Sequence, residues 1–161
     1  MRALIQRVTS GSVVIDGKIN GSIGKGLVIL LGVTHSDDEK AADFVADKCA
    51  ELRIFEDENG KMNLSLEDIG GDILLVSQFT LYGSTRKGRR PSFDAAARPE
   101  VAKPLYDYVI NRLRSRGISV ETGIFGAEMQ LEIHNAWLFF KAALQGPHQV
   151  PQMSSRISLP L

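Results

Sequence analysis

The chain has 161 residues, 43% hydrophobic and 24% charged, an ordinary balance for one soluble globular domain with a real core. Lys+Arg and Asp+Glu number 19 each, which excludes a global field toward nucleic acid, so any RNA contact must come from a local patch. The single cysteine, Cys49, excludes an internal disulfide and fits a reducing compartment. With no charged-then-apolar leader and no apolar run near the roughly 20 residues of a membrane span, a cytoplasmic location is expected.

In chain order, Arg2 to Ile15 reads as a strand pair with a turn near Ser10-Gly11. Asp16-Gly17 is a strong hairpin signal between β-branched runs, and Ile19 to Ile23 is the return strand. Leu27 to Val33 is almost wholly apolar, as a central strand should be. A helix is expected after Thr34, capped by Ser36 or Thr34, with Ala41, Ala42, Phe44, Val45, Lys48, Cys49 and Leu52 on one stripe. His35, beside three acids at the start of this helix, reads as solvated and structural, and Cys49 as a small buried hydrophobe.

Arg53-Ile54-Phe55 predicts a short strand, followed by a polar turn whose acids lack calcium-loop spacing, and Met62 to Leu66 with Glu67-Asp68 leads into the next strand. Ile73 to Val76 is a second buried strand, and it runs without a break into Ser77-Gln78-Phe79-Thr80. On a period of two, Gln78 and Thr80 share one face and Ser77 and Phe79 the other. Such uncharged hydrogen-bonding groups at the end of a core strand either bond to neighbouring strands or floor a site for a polar, uncharged reacting group.

Arg86-Lys87-Gly88-Arg89-Arg90-Pro91 then places four of the 19 basic residues within five positions, either as a solvated face or as a phosphate-binding loop. Phe93 to Ala97 and Pro99 onward predict a second helical region, with Val101, Leu105, Tyr108 or Val109, Arg112 and Leu113 on its stripe and Gly117 ending it. Ile118 to Gly123 and Met129 to Ile133 are the closing strands, the latter alternating Met129, Leu131 and Ile133 with Gln130, Glu132 and His134. The expected class is mixed α/β (α+β-like), strand-rich with hairpins and two main helices grouped between sheets.

Several motifs together carry a resemblance. Ser77-Gln78-Phe79-Thr80-Leu81 is similar to the signature of the D-aminoacyl-tRNA deacylases (D-tyrosyl-tRNA deacylases). Ala3-Leu4-Ile5-Gln6-Arg7-Val8-Thr9 resembles that family's first strand, and Arg53 to Asp57 with Gly60 to Asn63 its central segment. Arg90-Pro91-Ser92-Phe93 resembles the loop after the signature, and Gly123 to Gln130 a late strand. The match runs in order from Met1 to Asn135 and stops there, giving a family-like domain over residues 1–135 and an atypical segment over 136–161.

The resemblance implies a homodimeric hydrolase, without cofactor or metal, that cleaves the ester joining a D-amino acid to the 3′ end of tRNA. Glycyl-tRNA mischarged on tRNA-Ala would be a further substrate. On this reading Gln78 and the backbone N–H groups of Phe79 and Thr80 bind the carbonyl or oxyanion, and Ser77 positions the amino acid or ribose. Thr80 is either a hydrogen-bonding positioner or a nucleophile, and nothing near it in sequence would serve as its base. Arg7, Arg89, Arg90, Pro91, Phe125, Ala127 and Met129 are the expected substrate and tRNA contacts. No Ser-His-Asp set and no His/Cys cluster with zinc spacing competes with this reading.

The last 26 residues depart from it. They contain none of the 19 acids, and Trp137-Leu138 stands where the family has Gly-Pro. In the family that dipeptide is held cis by the arginine matching Arg7, reaches across the dimer and excludes L-amino acids. Gly146-Pro147 comes about nine positions too late. A catalytically impaired dimer that binds the aminoacyl-tRNA end, and a changed reading frame after Asn135, are therefore the alternatives.

Overall fold

The computed structural model describes residues 1–86, 88–134 and the backbone of 141–145. The strands are β1 (Arg2–Val8), β2 (Ser10–Ile15), β3 (Lys18–Ile23), β4 (Gly26–Gly32), β5 (Phe55–Glu56), β6 (Met62–Leu64), β7 (Asp72–Ser77), β8 (Val120–Thr122), β9 (Gln130–His134) and β10 (Lys141–Gln145). The helices are α1 (Glu39–Glu51) and α2 (Pro99–Ser115), with a 3₁₀ turn at Phe79–Tyr82. The mixed α/β class holds, with three layers.

A five-stranded sheet in the order β10-β1-β4-β7-β8 forms the middle layer. β1 runs antiparallel to β4 and β10, whereas β4, β7 and β8 are mutually parallel. The apolar runs of β4 and β7 divide by parity. Leu27, Ile29, Leu31, Ile73 and Leu75 face α1 and α2, while Val28, Leu74 and Val76 face the three-stranded sheet β3-β2-β9. Both faces of these strands are covered, so their sequences are continuous rather than alternating. Each large side chain so buried contributes about 1.5–3 kcal/mol. The helices thus lie together on one outer face, and not between sheets, because a second sheet already covers the other.

β1 and β2 are not paired with each other as the apolar spacing suggests. The chain crosses from one sheet to the other at Thr9, whose N–H donates to the His134 carbonyl at 2.9 Å, and each strand finds its partners elsewhere. The Asp16-Gly17 hairpin forms as expected, with φ of 49° and 73° at the two residues, the left-handed backbone of a tight strand-matching turn. α1 is capped by neither Ser36 nor Thr34. Asp38 caps it, accepting from the Ala41 N–H at 2.9 Å, while the Thr34 hydroxyl donates to the Ala95 carbonyl.

Phe93 to Ala97 are not helical. Bonds to the end of β4 claim this segment instead, with the Ala97 N–H donating to the Val33 carbonyl at 2.9 Å. Pro99 does open α2, as expected, but the buried stripe is Ala102, Tyr106, Val109, Ile110 and Leu113. Val101 is 41% exposed. Cys49 is fully buried and its thiol is pushed up to about 12 by that burial, which leaves it an inert packing group. β10 lies beside β1, in register from Arg2↔Gln145 to Gln6↔Lys141. Trp137-Leu138, Gly146-Pro147 and Lys87 lie outside the described residues.

Candidate active site

Where β4 and β7 end, a cavity of about 690 Å³ opens between α2 and the small sheet. Ligand sites in parallel sheets favour this carboxyl end, where the chain leaves the strands and backbone groups become free. Its walls are mostly apolar: Leu30, Leu31 and Val76 from the strand ends, Ala97 and Ala102 from the α2 side, Met129 and Leu131 from the small sheet. Tyr106 closes the back. Its hydroxyl donates to the Leu75 carbonyl at 2.7 Å, and burial raises its pKa, so it serves as an anchor rather than a base.

Strand β7 stops at Ser77, so the period-two argument ends there too. The chain turns instead into the 3₁₀ segment, whose first bond runs from the Leu81 N–H to the Gln78 carbonyl at 3.3 Å. The N–H groups of Phe79 and Thr80 come before that bond and have no partner within the turn. Gln78 and Thr80 still meet, because the Gln78 side-chain amide donates to the Thr80 hydroxyl. The expectation that these groups lie in the core is corrected. Ser77 and Gln78 are half-buried and Phe79 and Thr80 exposed, at the rim where a substrate can reach them.

The turn is braced from below. Gln78 N–H donates to the Leu31 carbonyl at 2.7 Å. Arg2 Nη1 donates to the Leu81 carbonyl at 2.7 Å, and the guanidinium carbon sits 4.5 Å from the Tyr82 ring centre. Beneath the turn is Gly32. A Cβ there would meet the Gln78 carbonyl oxygen at 3.0 Å and Leu81 and Tyr82 at 3.2 Å.

Of the residues singled out from sequence, Ser77, Gln78, Phe79, Phe125, Ala127 and Met129 line this cavity, and Thr80 joins it through Gln78. Arg89, Arg90 and Pro91 do not line it. They stand exposed on a loop closed by mutual backbone bonds of Ser84 and Ser92, at 2.8 and 2.9 Å. Among the described residues neither Arg89 nor Arg90 has an ion pair. Arg7 lies away from the cavity, at the end of β1 that pairs with Leu27 rather than with Leu31, donating to the Ile54 carbonyl at 2.5 Å and reaching Glu56 at 3.7 Å.

Sequence reading passed over Gly32, Ala102, Tyr106 and Arg98, which reach the site only through tertiary packing. Arg98 at the mouth had one local signal, its place just before the helix-opening Pro99. Among the described lining residues there is no carboxylate, histidine, cysteine or lysine. No group of three His, Cys, Asp or Glu among the described residues could hold a metal ion. The described lining can therefore orient an uncharged carbonyl and exclude water from one side of it, and no side-chain carboxylate, imidazole, thiol or amine stands among the described lining residues to act as a base.

The family model described as D-Tyr-tRNA(Tyr) deacylase matches residues 4–136. A D-aminoacyl-tRNA deacylase of Koribacter versatilis is 57% identical over 135 residues, 84% of this chain and 91% of that protein. One from Brevibacillus brevis is 58% identical over 135 residues, 84% and 93% of the two chains. Among solved structures, a "c-Myc DNA Unwinding Element Binding Protein" superposes with a TM-score of 0.85 at 38% identity, covering 91% of this chain and 99% of that one. A probable eukaryotic D-amino acid tRNA deacylase, with a TM-score of 0.76 at 20% identity over 89% and 98%, shares the fold.

Proposed function

The chain belongs to the D-Tyr-tRNA(Tyr) deacylase family, and from that premise we propose that it hydrolyses the ester between a D-amino acid and the 3′ end of tRNA. The observation that carries the reading is the pairing of two backbone N–H groups, at Phe79 and Thr80, that have no partner among the described residues, with a cavity whose described lining holds no carboxylate, histidine, cysteine or lysine. A serine or cysteine hydrolase needs a base beside its nucleophile. An activated aminoacyl ester needs less: orientation, and donors where the oxyanion develops.

In this mechanism the substrate carbonyl oxygen accepts from the Phe79 and Thr80 N–H groups, with a free N–H of the Gln78 amide beside them. Ser77 orients the amino acid or ribose. Water adds to the carbonyl carbon, the ester C–O bond breaks, and the proton passes to the departing ribose oxygen, yielding a free D-amino acid and deacylated tRNA. The neighbouring 2′-hydroxyl is the assistant that the family resemblance implies for this transfer. Thr80 already accepts a hydrogen bond from Gln78, and the described lining of the cavity offers no carboxylate, histidine, cysteine or lysine as its base, so it acts as a positioner. Phe125, Ala127 and Met129 wall the amino-acid side chain, and Arg89, Arg90 and Pro91 meet RNA phosphates.

The same reading extends to glycyl-tRNA mischarged on tRNA-Ala, to a cytoplasmic homodimer and to a family-like domain over residues 1–135. Because Trp137-Leu138 replaces the Gly-Pro dipeptide, weak discrimination between D and L substrates is expected. The test is single-turnover deacylation of D- and L-aminoacyl-tRNA by the full chain and by one whose residues after Asn135 are replaced with Asp-Gly-Pro-Val-Thr and the following family strand. Hydrolysis of the D ester by both, with higher D-over-L preference in the replaced chain, is expected. RNA binding without hydrolysis in either would favour the binding-module reading.

A further inference from the structure

Thr34, just past the end of β4, is a buried polar residue, 5% exposed. Buried hydroxyls are normally bonded, and that alone assigns no role. Here the partner matters. Thr34 Oγ1 donates to the Ala95 carbonyl, within the strap from Phe93 to Arg98 that joins the cationic loop to α2. Phe93, Ala96, Ala97 and Arg98 of that strap line the cavity.

The strap continues along β4 where β7 leaves it. The Leu31 carbonyl accepts from Gln78, at the start of the 3₁₀ turn, and the Val33 carbonyl accepts from the Ala97 N–H at 2.9 Å. Thr34 then pairs antiparallel with Ala96. Two facing walls of the cavity therefore hang from one extended segment, at carbonyls roughly 7 Å apart.

The strap's other tethers to this segment are unequal. His35 Nε2 donates to the Asp94 carbonyl at 3.0 Å, but His35 is exposed and water competes for that bond. The Thr34 hydroxyl is shielded, and it is presented from a fixed turn. Asp37 Oδ2 accepts from the Thr34 N–H at 2.7 Å, and the Asp37 N–H donates back to the Thr34 carbonyl at 3.2 Å. Removing the hydroxyl leaves the Ala95 carbonyl without this donor and the wall held at fewer points.

We propose that Thr34 is a positioning residue, whose hydroxyl holds the Phe93 to Arg98 strap as the second wall of the site. This rests on the proposed function and adds what sets the width of the cavity. The strap faces the part of the substrate that does not react, so its contacts act alike on ground and transition states and are read in KM. The turn on the other wall carries the oxyanion donors and is read in kcat.

The test compares Thr34→Val, which keeps the shape and loses the hydroxyl, with Thr34→Ser, which keeps the hydroxyl. Each is assayed for deacylation of D-aminoacyl-tRNA, and its backbone amide exchange is followed in the free protein. Thr34→Val is expected to raise KM about 2- to 12-fold, the range of one hydrogen bond, with kcat changed less than about 2-fold. Exchange at Ala96 and Ala97 should quicken while that at Leu81 and Tyr82 stays as it was, and Thr34→Ser should restore both readouts. An unchanged KM, even with a lowered melting temperature, overturns the proposal, and so does a raised KM that Thr34→Ser fails to restore. Should the unmodified protein hydrolyse nothing, the reaction assigned above fails and exchange alone decides the strap. Quickening at Ala96 and Ala97 in Thr34→Val but not in Thr34→Ser upholds the Thr34 tether, and unchanged exchange there overturns it.

Discussion

The Gln78 N–H donates to the Leu31 carbonyl at 2.7 Å, one residue past the last register pair, Leu31↔Ser77, of the parallel β4–β7 ladder. This bond carries the rigidity of the central sheet into the 3₁₀ turn that holds the candidate site. The turn is thereby seated directly on Gly32, where a methyl group would fit only if the turn shifted by a few tenths of an ångström.

Gly32→Ala should therefore act on the turn rather than on the core. The new Cβ meets the Gln78 carbonyl oxygen at 3.0 Å and two side-chain carbons at 3.2 Å, so the turn must move by a few tenths of an ångström. Oxyanion donors tolerate little displacement. We expect a folded protein by circular dichroism, with kcat reduced at least 10-fold and KM changed less. Unaltered kcat would mean that the turn's position is not set from below.

Substitutions at Gln78 and Thr80 should differ in size. Thr80→Ala removes one positioning hydrogen bond, worth about 0.5–1.5 kcal/mol, and should slow deacylation about 2- to 12-fold. Gln78→Ala removes an amide donor at the developing charge and is expected to cost about 100-fold or more. A trapped aminoacyl ester on Thr80, with turnover abolished in Thr80→Ala, would instead make Thr80 the nucleophile.

Reversing the loop charges tests RNA binding independently of catalysis. Arg89→Glu with Arg90→Glu should weaken tRNA binding and reduce the slope of log affinity against log salt by roughly 0.9 or less for each phosphate that is no longer neutralised. The loop is exposed and outside both hydrophobic clusters, so the melting temperature should stay within about 2 °C. Unchanged affinity at low salt would place the RNA surface elsewhere.

Arg116 is expected to carry part of the acid limb of stability. It reaches Asp47 at 2.9 Å, Glu51 at 3.0 Å and Glu67 at 2.8 Å, tying α1, the end of α2 and the loop before β7 together. Hydrogen bonds from Arg112 and Arg116 hold the Asp47 carboxyl below its ordinary value of 3.8, and that from Arg116 holds Glu67 below 4.5. Carboxylates depressed in the folded state contribute stability that is present above their ordinary values and is lost as pH falls through the lowered ones. Arg116→Met should lower the melting temperature at pH 7 by a few degrees, at about 2–4 °C per kcal/mol, and flatten its fall below about pH 4. An equal loss at pH 7 and pH 3 would mean that packing, not charge, is what Arg116 supplies.

What the sequence determined by itself was local. Continuous apolar runs marked β4 and β7 because a strand covered on both faces needs apolar side chains at every position, and Asp16-Gly17 fixed a hairpin because its backbone demands left-handed φ. Ser77 to Thr80 were legible as a group of polar residues out of place, and the family motifs gave that group a chemistry. Tertiary structure decided the rest. Phe93 to Ala97 lost their helix to hydrogen bonds with the end of β4, and Asp38 took the α1 cap while Thr34 turned toward Ala95. The site itself formed where two strands distant in sequence run parallel and stop together, so that Gly32, Ala102, Tyr106 and Phe79 converge. No local pattern encodes that convergence, because the energy that creates it comes from burying both faces of one sheet between a helix pair and a second sheet.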